Sequence, residues 1–215
     1  MLDVHPPHEP LHGWRDFFIH LATITIGLLI ALSLEGCVEW QHHRHLVHEA
    51  EAGLQTEIKT NANQLAGALE DVRSEQKYLG QDVALMKKII ANPKVVNKEE
   101  ITINFHIRSF DDVSWKTAQS TGALSYMPYE RAQEYSNLYS LQNEIKEAED
   151  LAVRDTVLTI GPFLNSKKDD PNPSGEDAVK IRDRMETMSA QLMYLENQIL
   201  GLDMQYKKFL AAHPE

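Results

Sequence analysis

The sequence predicts an all-α protein, with one N-terminal transmembrane helix continuing into an elongated up-down helical bundle or coiled coil. Three observations predict it. From Phe17 to Leu34 every residue is apolar or small except His20, Thr23, Thr25 and Ser33. Downstream, apolar residues recur in steps of three and four through most of the chain, which is the signature of helices that share a buried face. With 42% hydrophobic and 25% charged residues in 215, the chain has the composition of a folded domain.

Residues 1–16 read as a short N-terminal tail and 17–38 as the transmembrane helix. Eighteen residues at the helical rise cover about 27 Å, close to the hydrocarbon thickness of a bilayer. Trp14 and Trp40 flank the run as interface anchors, about 39 Å apart along a helix, where amphipathic rings favour the headgroup layers. Leu34-Glu35-Gly36-Cys37 imitates a lipoprotein cleavage box, but Glu35 stands where such boxes want a small apolar residue. A cleaved signal would also want a basic leader and an apolar run of about 7–15 residues. Here one arginine, Arg15, is followed at once by Asp16, so the segment reads as an uncleaved signal-anchor.

Within the span, Thr23, Gly27, Ala31 and Glu35 recur every four residues, with His20 one turn earlier on nearly the same side. Small residues at that spacing let helix backbones approach closely in lipid, and polar groups there bond across the interface. His20, Thr23, Gly27, Ala31 and Glu35 are therefore the predicted membrane helix-packing face. Arg15 and Arg44 balance across the span, so the positive-inside count is a tie. The expected orientation is a cytoplasmic tail and a periplasmic C-terminal domain, in a single-pass protein of the bacterial inner membrane.

Residues 39–215 are predicted as one extramembrane helical-bundle domain, with helices at about 39–91, 112–121, 129–160 and 175–212. The first is marked by His43, Val47, Ala50, Leu54, Ile58, Ala62, Leu65, Leu69, Val72, the polar Gln76, Leu79, Val83, Met86 and Ile90, and ends at Asn92-Pro93. Gly53, Gly67 and Gly80 each weaken it. Residues 92–110 break the period, and Ile101–Ile107 alternates as an extended connector or an edge strand would. Asp111 or Asp112 is expected to cap the next helix, which carries Trp115, with Gly122 as its C′ residue. Pro128 opens the third long helix and Gly161-Pro162 is expected to end it. Asp170, Asn172 and Ser174-Gly175 imitate half a calcium loop, but Ile181 stands where the bidentate Glu belongs. The last helix has the clearest seam: Ile181, Met185, Met188, Leu192, Leu195, Ile199 and Leu202, extended by Ala178, Tyr206 and Phe209.

Charge and chemistry narrow the function. The net charge is −11, and residues 35–215 carry 20 − 29 = −9, without any Lys/Arg-rich block. Nucleic acid is not an expected partner, because binding it needs a clustered basic surface. A single cysteine, Cys37, rules out an intramolecular disulfide and a Cys-based zinc ribbon. His42 with His45, and His45 with His48, form i, i+3 pairs that could ligate zinc, but no third ligand is assigned to either pair. An interfacial histidine cluster is the preferred reading. The sequence has no Walker A, GxGxxG, GxSxG or HExxH motif, and neither an enzyme activity nor a cofactor is expected.

Ile26-Gly27, Leu29-Ile30-Ala31-Leu32 and then Trp115, Ala118, Gly122 and Leu124 resemble a family of uncharacterised single-span bacterial membrane proteins. Those proteins pair an IGxLIAL-type span with a helical domain carrying a W-x-x-A-x-x-x-G-x-L segment. The resemblance implies the same architecture and an external C-terminal domain, with no assigned activity. The expected function is a membrane-anchored structural or accessory subunit that binds other membrane-protein subunits or itself through span and bundle. Its setting would be a larger respiratory, photosynthetic or transport complex. The alternative is a periplasmic sensory or ligand-binding module acting through a separate partner.

Overall fold

In the computed structural model, residues 13–92, 108, 110–164 and 175–214 are described. They form α1 (Trp14–Ala91), α2 (Val113–Ser120), a 3₁₀ turn (Ala123–Tyr126), α3 (Tyr129–Leu164) and α4 (Gly175–Ala212). There is no strand among the described residues, so the protein is all-helical. The alternating stretch Ile101–Ile107, the calcium-loop imitation at 170–174 and His5, His8 and His12 lie outside them. Two units divide the chain, Met1–Glu49 and Ala50–Glu215. The division lies within α1, which buries its first side chain at Leu54.

In the first unit the helix is exposed throughout its apolar run. It is the one candidate membrane span among the described residues.

The second unit is a bundle of the remainder of α1 with α3 and α4. Side-chain pairs fix the directions. Glu51, Glu57 and Asn61 of α1 meet Arg131, Tyr139 and Gln142 of α3, so these two helices run parallel. Arg73 and Lys87 of α1 meet Glu196 and Glu186 of α4, which runs antiparallel to α1. Gln142, Asp155 and Leu158 of α3 meet Tyr206, Gln191 and Arg184 of α4, the up-and-down relation. Arg73 and Gln76 both donate to Glu196 and hold its carboxyl below the usual carboxylate range.

The α4 seam Ile181, Met185, Met188, Leu192, Leu195, Ile199 and Leu202 is buried, as are Ala178, Tyr206 and Phe209. Facing it, α3 buries Ile145, then the small Ala148, Ala152, Thr156 and Thr159. Small residues on one helix admit long methionines from the other, and the Thr156 hydroxyl lies 3.6 Å from Met188 Sδ. The α1 seam differs from the expected one. It runs through Leu54, Ile58, Asn61, Leu65, Ala68, Val72, Glu75, Leu79, Asp82, Met86 and Ile89. The expected Ala62, Leu69, Val83 and Ile90 lie half-buried at its side, because three polar residues occupy seam positions that apolar marking skips.

One boundary also departs from expectation. The helix expected to stop at Gly161-Pro162 continues to Leu164. A proline supplies no N–H to the carbonyl four residues back, here Leu158. The Arg184 guanidinium of α4 donates to that carbonyl instead, which replaces the bond the proline cannot make. Gly122 does follow α2 in the left-handed region, at φ 76, and the chain turns there into the 3₁₀ turn, an element the sequence did not announce.

Candidate functional site

Two regions carry the polar and exposed features. The first is the apolar stretch of α1. Trp14 and Trp40 are 76% and 61% exposed, with Trp14 against Phe17 and Phe18 and the Arg44 guanidinium over Trp40. His20, Thr23, Gly27, Ala31 and Glu35 are all exposed. The hydroxyls of Thr23, Thr25 and Ser33 donate to the carbonyls of Ile19, Leu21 and Leu29, so each is satisfied within the helix. A Cβ on Gly27 would meet nothing within 4 Å, so among the described residues this position of the helix has no intrachain neighbour. His45 pairs with Glu49 at 3.2 Å instead of converging with His42 and His48. Among the described residues no three His, Cys, Asp or Glu are grouped to hold a metal ion.

The second region lies where the chain re-enters the bundle before α2. Asn61, fully buried on α1, grips Asp111 as a neighbouring strand would. The Asp111 N–H donates to Asn61 Oδ1 at 2.9 Å, and Asn61 Nδ2 donates to the Asp111 carbonyl at 2.8 Å. Gln142 Nε2 of α3 donates to the same carbonyl, while Gln142 Oε1 accepts from Asn61 Nδ2 and from the Tyr206 hydroxyl of α4. One amide ladder thus ties three helices to one backbone unit.

One turn earlier on α1, Glu57 accepts from the Tyr139 hydroxyl and, through its other oxygen at 2.7 Å, from the Ser114 N–H. That second bond corrects the capping expectation. Asp112 is the N-cap of α2, but its carboxylate makes no cap bond and instead pairs with Lys116 at 2.7 Å. Glu57 serves the exposed amide from across the bundle, and its charge suits a helix N-terminus. Burial and the bond to Glu57 push the Tyr139 phenol far above its ordinary range, and burial does the same to Tyr206. Both hydroxyls are therefore suited to holding hydrogen bonds and not to ionising. Before Asp111, Arg108 pairs with Asp71 at 2.6 Å, with its guanidinium lying over Gly67. A Cβ at Gly67 would sit 2.3 Å from Arg108 Nη1, so this glycine admits the crossing.

Beside the ladder a groove of about 550 Å³ runs between α2 and α3. Its walls include Phe110, Trp115 and Tyr139, and the Trp115 and Tyr139 rings stack at 5.0 Å and 8°. At one end stands Glu149, only 6% exposed. Burial, and then the charge of Asp150, push its carboxyl up to about 7. Of these residues the sequence offered Trp115, Tyr206, Gly67 and, as cap candidates, Asp111 and Asp112, but not the bonds that join them. Asn61 was detectable in principle, as a polar residue in step between Ile58 and Leu65.

The chain is thus a helical protein with an exposed apolar N-terminal helix and a polar-laddered bundle. Comparison with protein-family models, curated proteins and solved structures gives no match.

Proposed function

We propose that this chain is a membrane-anchored structural or accessory subunit, inserted in a bacterial inner membrane by residues 17–38. Its bundle lies on the periplasmic side and binds partner proteins or a second copy within a larger membrane complex. The observation that carries this reading is the apolar run of α1, exposed on every side while the bundle's own seams are closed. An apolar helix of that length needs lipid or protein around it. The open side at Gly27 supports close approach of another helix. The test is purification from native membranes in mild detergent. A second protein, or a second copy, should co-elute with the chain, and recovery of monomer alone would contradict the proposal.

A second reading is favoured by one observation. The groove between α2 and α3 ends on a buried carboxyl with no ion pair, which suits a ligand-binding module that signals through a separate partner. A ligand-dependent rise in the melting temperature would support it.

A further inference from the structure

We propose that the groove between α2 and α3 binds a small organic cation, an amine carried by a short arm on a flat apolar body, with its ammonium against Glu149. This rests on the ligand-binding reading and names the class of ligand. Glu149 stands beside Ala148 and one turn from Ala152, where the helix otherwise buries alanines. A carboxyl with no hydrogen-bond or ion-pair partner is a costly occupant of such a position. Among the described residues no side chain donates to it, and the carboxyl lines the groove, where an ammonium would supply a donor.

Length and lining agree. Along α3 the groove extends from Ser136 to Asp150, about 21 Å at the helical rise. Glu149 lies two turns beyond Gln142, about 10 Å along the axis, and Gln142 bonds Asp111 next to Phe110. An apolar body can therefore lie toward Phe110 and Trp115 while its arm reaches Glu149. The other charged groups lining the groove are Asp112, Lys116, Lys146 and Asp150. Lys116 is held by Asp112, Asp150 adds to the attraction for a cation, and Lys146 opposes it at the rim. The net charge of −9 on residues 35–215 favours a cation further.

The test uses the full chain in detergent and 4-phenylbutylamine, with the neutral 4-phenyl-1-butanol as isostere, followed by calorimetric titration. The amine should bind saturably, at least about tenfold more tightly than the alcohol, and lose that advantage in Glu149→Gln. In the unaltered protein its affinity should rise about tenfold from pH 6 to pH 8, as a carboxyl with its midpoint near 7 ionises. That profile needs no variant and should be flat in Glu149→Gln. Equal binding of amine and alcohol, or an amine affinity untouched by Glu149→Gln and by pH, overturns the cation while leaving a ligand groove standing. Binding of neither compound overturns both.

Discussion

Replacing Asn61 by alanine tests how the chain is fastened before α2. The residue is fully buried and makes three hydrogen bonds, two to Asp111 and one to Gln142. Two of the partners keep other bonds after truncation. The Asp111 carbonyl retains Gln142 Nε2, and Gln142 Oε1 retains the Tyr206 hydroxyl. Only the Asp111 N–H is orphaned. An orphaned donor costs about 1–3 kcal/mol and each replaced bond about 0.5–1, so the expected loss is about 3 kcal/mol. For a unit of this size that corresponds to a fall of about 6–12 °C in melting temperature. The assay is thermal unfolding followed by far-UV circular dichroism. Asn61→Leu should fall by a similar amount, since an apolar side chain packs the seam but accepts nothing from Asp111. A loss below about 1 kcal/mol in both variants would refute the view that this ladder fastens the chain.

Four further outcomes follow from the same geometry. Glu149 has its carboxyl raised from 4.5 to about 7, so the folded state holds a proton that the unfolded state releases. Its contribution is therefore favourable below about 4.5 and is lost as pH rises to 7, by at most about 3 kcal/mol. Glu149→Gln should accordingly melt higher than the unaltered protein at pH 8 and lose that advantage at pH 4, measured by parallel melting curves. Gly122→Ala forces a side chain into the left-handed region at φ 76 and should cost about 1–2 kcal/mol by chemical denaturation. Ala152→Leu overpacks the face where α3 meets the methionines of α4 and should cost about 1–3 kcal/mol or more in the same assay. Glu57→Gln keeps the size of the side chain but leaves one neutral acceptor oxygen where two charged ones served Tyr139 and Ser114, so amide exchange at Ser114 should quicken at least several-fold by NMR.

Elements held by apolar spacing were legible, and elements held by polar exchange between helices were not. The seam of α4 could be read residue by residue, because every buried position there is apolar from Ala178 to Phe209. On α1 the same spacing continues through Asn61, Glu75 and Asp82, and a reading that admits only apolar residues drifts to Ala62, Leu69 and Val83. The end of α3 was misplaced because Pro162 is a stop signal within its own helix. The Arg184 bond that satisfies the carbonyl left free by Pro162 comes from 26 residues away. Asp112 was a sound choice of N-cap residue, yet its helix is served by Glu57 on another element. Glu149 shows the limit most sharply. In sequence it is one of many carboxylates along α3, and only packing makes it a buried one.

The central claim is that the apolar part of α1 holds the chain in a membrane beside a partner. Gly27→Leu tests it directly, because it fills the open side of that helix while keeping it apolar. Both forms would be tagged, recovered from native membranes in mild detergent and compared by quantitative mass spectrometry. The account predicts that both forms remain in the membrane fraction. It also predicts that the partner recovered with the unaltered chain falls at least several-fold with Gly27→Leu. An unchanged partner yield would contradict the packing face, and a chain found outside the membrane fraction would contradict the anchor itself.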